Sequence, residues 1–239
     1  MFFNDIIYNM ILGIDEVGRG PWAGPLVVGA VVLGGVVIEG LTDSKKLTRK
    51  QRELLDIEIR QKALAIGLGW VEANIIDEIG LSKALVMATK QAVEQITVPY
   101  HEIIIDGLVN FLKDTNKGQY VTTMKKADLL IPCVSAASII AKVARDNYMI
   151  CQDKMYPGYG FKSHVGYGTL AHQSAIEKLG TTKLHRLSWM PLKKGAKTVI
   201  KITTKKITTK QIGNNAENIA AEHLVQKGHK IIDRNWKTK

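Results

Sequence analysis

A chain of 239 residues with 46% apolar content can bury one full core domain and part of a second. Its two cysteines, Cys133 and Cys151, indicate no disulfide framework and, by default, a reducing cytoplasmic compartment, and no apolar stretch reaches transmembrane length. The formal charge of +11 would point to a nucleic-acid partner, but residues 190–239 hold eleven Lys and one Arg against Glu217, Glu222 and Asp233, a net +9, leaving only +2 for residues 1–189.

Residues 1–12 are apolar but contain Asp5, with no basic opening and no small-residue cleavage site, so they read as a leading strand, not a signal peptide. Residues 10–15 form an apolar run that ends in Asp15 and Glu16, followed at once by Gly18-Arg19-Gly20. The β-branched runs at 26–33 and 36–38, split by Gly34-Gly35, predict a hairpin. Residues 42–47 are a polar loop, and Thr48 is placed to cap an amphipathic helix running to about Ala63. A strand at 65–71 and one or two helices over 77–95, broken near Gly80, come next.

Residues 103–106 are a short buried-type strand ending in Asp106, and 119–123 reads as one more strand. The segment 135–155 has apolar residues at helical spacing, 156–169 is a loop rich in Gly and Tyr, and 170–179 is a short helix. His185-Arg186-Leu187-Ser188-Trp189 closes the region. Strands first, then strands interleaved with helices, predict an α/β domain with a mixed sheet. Beyond Met190 the tandem KITTK repeat at 201–210 reads as a solvated basic linker. Residues 212–227 regain a helical pattern with Gly228 placed as its cap, and Lys230-Ile231-Ile232 could begin a strand.

Asp15, Glu16 and Asp106 each end an apolar strand, the edge at which open α/β sheets bind ligands, and Asp128 precedes the long helix within reach of that edge. Neighbouring residues on a strand face opposite ways, so Asp15 and Glu16 would converge if the chain bends after Ile14. Clustered anions repel unless a cation lies between them. Hard ions such as Mg²⁺ take oxygen ligands and keep substrate phosphates in their shell. An acidic residue at a strand end is by itself as readily a cap; the combination with the following turn is what points to a metal beside a phosphodiester. Gly18 and Gly20 permit close backbone approach, and Arg19 offers a planar fork to phosphate.

Ser44, Lys45 and Lys46 in one loop, Lys142 and Arg145 three apart on a helix, His164, Tyr167 and Thr169 in the Gly-rich loop, and His185 and Arg186 after it all suit a phosphate-rich ligand. Taken singly, a surface Lys or Arg is more often merely solvated. Tyr167, flanked by Gly166 and Gly168, has few local packing partners, and its ring can stack on a base or sugar.

Six segments, GIDEVGRGPWAGP, TDSKKL, IIIDG, KADLLIPCVSAASIIAKVARD, YPGYGFKSHVGYGT and HRLSW, resemble in order and spacing the bacterial type 2 ribonuclease H family, ribonuclease HII, over about residues 10–190. The resemblance implies a ribonuclease H-like mixed sheet flanked by helices. It implies endonucleolytic cleavage of RNA paired or joined to DNA, by two Mn²⁺ or Mg²⁺ ions, leaving 5′-phosphate and 3′-hydroxyl ends. Carried over residue by residue, Asp15, Glu16, Asp106 and Asp128 would hold the metals, with Asp15 most central. Gly18, Arg19, Gly20 and Tyr167 would recognise the ribonucleotide, and Ser44, Lys45, Lys142 and Arg145 would position the backbone. Val165 stands where the family often has Lys, and Trp22 where a smaller apolar residue is common.

The expected organisation is a catalytic domain at 1–192, a basic linker at 193–210, and a segment at 211–239 that resembles the start of the endonuclease-like YraN family. The tail stops before that family's acidic motif and so reads as an incomplete module; its net +9 would add sequence-independent affinity for duplex. A monomer acting on RNA–DNA hybrid and ribonucleotide-containing duplex is expected. One rival, an ATPase or sugar kinase of the same fold, needs a second Asp-Gly-Gly-Thr-type loop that the sequence lacks. The other, a silent hybrid-binding module, sits poorly with four intact carboxylates.

Overall fold

The computed structural model describes residues 10–189 and residue 192. The first nine residues, the linker at 193–210 and the tail at 211–239, with the readings made for them, lie outside the described residues.

Five strands form a mixed sheet: β1 (Ile11–Val17), β2 (Leu26–Val32), β3 (Ala65–Val71), β4 (Glu102–Asp106) and β5 (Val121–Met124), in the order β3-β2-β1-β4-β5. β1, β2 and β3 are antiparallel to one another in turn, while β4 and β5 run parallel to β1. The hairpin expected between 26–33 and 36–38 does not form. β2 already has β1 on one edge and β3 on the other, so no edge remains for a further strand. Residues 36–38 leave the sheet as loop, and Ile38 is buried instead in the core beneath it.

Among the described residues, seven α-helical elements flank the sheet: α1 (Arg49–Lys62), α2 (Ala73–Ile79), α3 (Leu81–Glu94), α4 (Ala127–Leu130), α5 (Pro132–Met155), α6 (Phe161–His164) and α7 (Leu170–Leu179). α1 starts at the expected cap, where Thr48 and Gln51 satisfy each other's backbone amides in a capping box. α2 begins four residues earlier than the apolar pattern indicates, and Gly80 separates it from α3. Strand alternation sorts the core into two faces. Leu12, Ile14, Val28, Ile103 and Ile105 pack with Ala84, Leu85, Ala88 and Ala92 of α3. On the other face Val31 and Ile104 meet Leu55 and Ile59 of α1 and Val134, Ala137 and Ile140 of α5.

The placement of α5 prepares the site. Gly13 and Gly29 face it, and a Cβ on either would overlap the backbone of Cys133 or of Ala137. Only glycine at those two positions lets the helix lie directly on β1 and β2, with its polar side chains level with the strand ends. A smaller cluster of Ala23, Met149, Tyr159, Phe161, Ala175 and Leu184 continues from the far end of α5. It forms a floor under the Gly-rich loop.

Candidate active site

β1 does not bend after Ile14. Its ladder with β2 runs on through Asp15↔Gly29, Glu16↔Val28 and Val17↔Val27, whereas its pairing with β4 stops at Ile14↔Ile105. The carboxylates come together because β1 and β4 part there. Asp106 follows Ile105 and so stands beside Asp15 on the parallel neighbour. Its Oδ1 accepts from the Ala127 amide at 2.8 Å, which draws in the first turn of α4 and with it Asp128. Asp15 accepts from the Glu16 amide at 2.8 Å, and the nearby Ser138 hydroxyl, 3.0 Å from that of Ser44, favours its charged form.

The electrostatics report the crowding. Burial, then the Glu16 charge, pushes the Asp15 carboxyl up to about 8; Asp106 adds to the shift, and the Ser138 and Glu16 hydrogen bonds oppose it. Glu16 is raised by burial and by Asp106 against the pull of Arg19, its ion-pair partner at 2.9 Å. Asp128 is raised by burial, then by Asp106 and Asp43, with Lys45 opposing. The neighbour whose charge acts on all three is Asp106.

Among the described residues no three acidic, histidine or cysteine side chains are close enough to enclose an ion by themselves. The donor set is all oxygen and self-repelling, on an open strand edge. That chemistry fits a hard divalent cation that keeps water and substrate oxygens among its ligands.

The turn after β1 sits against the Gly-rich loop. Gly18 has φ +95°, and a Cβ there would overlap the Arg145 side chain and crowd the Pro25 carbonyl. Gly20 is the point facing the loop: a Cβ on it would lie 3.8 Å from Tyr167 Cε1. The Tyr167 side chain is 43% exposed, the Arg19 side chain is open to solvent, and the Lys45 charge is felt by both Glu16 and Asp128.

Three of the expected backbone-positioning residues are differently employed. Arg145 is wholly buried, and its guanidinium donates to the carbonyls of Pro25 (2.9 Å), Val165 (2.9 Å) and Ala23 (3.0 Å). It braces the turn after β1 and the Gly-rich loop from below and presents no fork to a phosphate. Ser44 is buried with its hydroxyl turned to Ser138. Lys142 is ion-paired with Asp146 at 2.8 Å. Arg186, grouped by sequence with a phosphate-rich ligand, is also wholly buried and holds the carbonyls of Gly24 (2.8 Å) and Arg19 (3.2 Å).

Ser138 and Asp43 are absent from the sequence-derived set. Ser135 and Ser138, polar residues three apart on the buried face of α5, are the signal that could have found the first. Asp43 has no such mark. Val165 takes φ +44°, a left-handed conformation that β-branched residues avoid, and its carbonyl is held there by Arg145.

A mixed five-stranded sheet with acidic residues gathered where β1 and β4 diverge defines a ribonuclease H-like hydrolase. The family model for ribonuclease HII matches residues 12–192, and the chain belongs to that family. It is 46% identical over 188 residues to the ribonuclease HII of Aliivibrio fischeri strain MJ11, covering 78% of this chain and 89% of the relative. The ribonuclease H2 of Pyrococcus horikoshii OT3 superposes with a TM-score of 0.65 at 29% identity, over 77% of this chain and 95% of that one. Bst-RNase HIII in complex with Mn²⁺ shares the fold, with a TM-score of 0.61 at 20% identity over 80% and 72% of the two chains. No helix among the described residues is long and apolar enough to cross a membrane.

Proposed function

We propose that this ribonuclease H cleaves the RNA strand of RNA–DNA hybrids and single ribonucleotides embedded in duplex DNA, leaving 5′-phosphate and 3′-hydroxyl ends. The observation that carries the reading is the meeting of Tyr167 with Gly20 next to the carboxylate edge. The narrow gap between a bare backbone and an exposed aromatic ring is suited to testing for a 2′-hydroxyl, the group that separates RNA from DNA. Two Mn²⁺ or Mg²⁺ ions held by Asp15, Glu16, Asp106 and Asp128 would acidify a water and stabilise the leaving 3′ oxygen.

The remaining work falls to the chain's own groups. Ser138 and the Glu16 amide fix the Asp15 carboxylate, and the Ala127 amide fixes Asp106. Lys45 sets a positive charge against Glu16 and Asp128, where a substrate phosphate would enter; such contacts fix register without reading sequence. Arg19, exchanging Glu16 for phosphate, would add a second contact. We place the acting chain in the cytoplasm as a monomer, with its catalytic domain at 1–192.

Cleavage mapping tests the reading: an end-labelled duplex with one ribonucleotide is incubated with Mn²⁺ or Mg²⁺, with and without chelator. The expected result is one cut, at the ribonucleotide, leaving 5′-phosphate and 3′-hydroxyl ends, and lost with chelator. Cleavage of an all-DNA duplex at a similar rate, or cleavage that survives chelation, would rule the assignment out.

A further inference from the structure

His164, His172 and His185 lie buried beneath the Tyr167 loop. Their hydrogen bonds can run in one direction only. The Thr182 amide is a donor, so His185 Nδ1, 2.8 Å away, accepts, and the His185 proton sits on Nε2. That nitrogen is 3.1 Å from His172 Nε2, which must accept in turn. The His172 proton is then on Nδ1, 2.9 Å from the Tyr167 carbonyl oxygen, itself an acceptor only. Working back from Tyr167 gives the same assignment.

A parallel link holds the start of the loop. The Gly166 amide donates to His164 Nδ1 at 3.2 Å, leaving His164 Nε2–H to donate to the Tyr159 carbonyl at 2.9 Å. No ring nitrogen is left over for a metal. The rings are also boxed in: His164 stacks on His172 at 4.4 Å, the Phe161 edge meets His172 at 5.5 Å, and Trp22 closes the remaining side at 5.9 Å. Trp22 also fills the space in which a Cβ on Gly168 would sit. The bulky residue at position 22 thus packs against both the relay and the residue after Tyr167.

We infer that His185 and His172 are positioning residues that hold Tyr167 against Gly20 through this one-way chain of hydrogen bonds, an inference that rests on the role proposed above for Tyr167. The chain starts in the closing segment at Thr182 and ends on the backbone of the recognising residue. It therefore couples the last turn of the domain to substrate discrimination with no histidine touching substrate. Loss of the final donor leaves the Tyr167 carbonyl held by the local Thr169 amide alone (2.9 Å) and unties the loop from the histidine floor, so the ring drifts from Gly20, which weakens substrate capture more than it slows chemistry.

The tautomers can be read directly in long-range ¹⁵N–¹H spectra of histidine-labelled wild-type protein. Protons on Nε2 of His164 and His185 and on Nδ1 of His172 are expected; a proton on Nε2 of His172 overturns the chain. Kinetics on a duplex with one ribonucleotide then test its consequence. His172→Gln keeps an acceptor, its Oε1, facing His185 Nε2–H but loses the donor to Tyr167, and should raise KM about tenfold, the worth of one buried hydrogen bond, with kcat changed less than about threefold. His172→Asn restores a donor near the Nδ1 position and should bring KM back to within about threefold of wild type.

Equal KM values in the two variants, or a loss confined to kcat, overturn the positioning role. If either variant fails to fold, the wild-type tautomers still decide. A wild-type chain that does not cut this duplex rejects the substrate reading and the inference with it. A wild type that cuts it, with variants whose KM is unmoved, rejects the histidine chain alone.

Discussion

At the strand edge Asp15, Glu16 and Asp128 are each pushed above their ordinary range by burial and by a neighbouring acid, whereas beneath Tyr167 each imidazole nitrogen has a partner of the right polarity. The first region is self-repelling, and the second is complete in itself. On the function proposed above, chemistry and recognition rest on opposite electrostatic designs, joined by the turn at Gly18 and by the buried Arg145 and Arg186 beneath it.

The sharpest way to break the first region is Asp106→Asn. It removes the charge that the other three acids share while keeping an acceptor for the Ala127 amide. Cleavage should fall by about a thousandfold or more, several kcal/mol of transition-state stabilisation, with duplex affinity largely kept. Single-turnover rates beside anisotropy binding curves measure both, and undiminished turnover would remove Asp106 from the metal-binding set. Arg145→Met attacks the joint between the regions. It leaves three buried carbonyls without a donor, and at about 1–3 kcal/mol for each unsatisfied group a loss of at least about 3 kcal/mol of stability is expected. Urea titration reads that loss directly; an unchanged midpoint would show that the loops hold without the guanidinium.

The two regions were unequally legible in the sequence. Asp15, Glu16 and Asp106 announce themselves because each follows an apolar run, and strand ends are where a parallel sheet presents ligands; Asp128, after Lys125-Lys126-Ala127, carries no such mark. How they converge was not legible: the register places β1 straight through Glu16, and it is the early end of β4 pairing that opens the edge. Arg145 illustrates the limit of helical spacing. Lys142 and Arg145 share a face by period, but position along α5 decides the outcome: Lys142 meets Asp146, and Arg145 arrives under the loop carbonyls. The missing hairpin at 36–38 has the same origin, since β-branched composition cannot show that both edges of β2 are taken. The histidine chain is least visible of all, because its logic lies in which backbone groups donate and which accept at each ring, and in the fold bringing His172 against His185.

The smallest predicted effect concerns the imidazole region and has a sign opposite to that of the carboxylate edge. Burial lowers His172 and His185 to about 4 from an ordinary value of 6.5; of the titratable groups, His164 acts on both and His172 on His185. Between those values the unfolded chain binds protons that the folded chain refuses, so their contribution is intact above pH 6.5 and is lost as pH falls toward 4. Asp15 works the other way. Its folded value of about 8 lies above its unfolded 3.8, so its contribution is present at low pH and lost as pH rises through that window. A raw melting curve against pH mixes the two. Subtracting the Tm profile of His185→Gln from that of wild type removes the carboxylate share and leaves one imidazole's slope. The difference should shrink by a few degrees as pH falls from 6.5 to 4. A difference that stays flat across that window would mean that the imidazoles titrate as they do in the unfolded chain, and that the floor beneath Tyr167 is wetter than its hydrogen bonds imply.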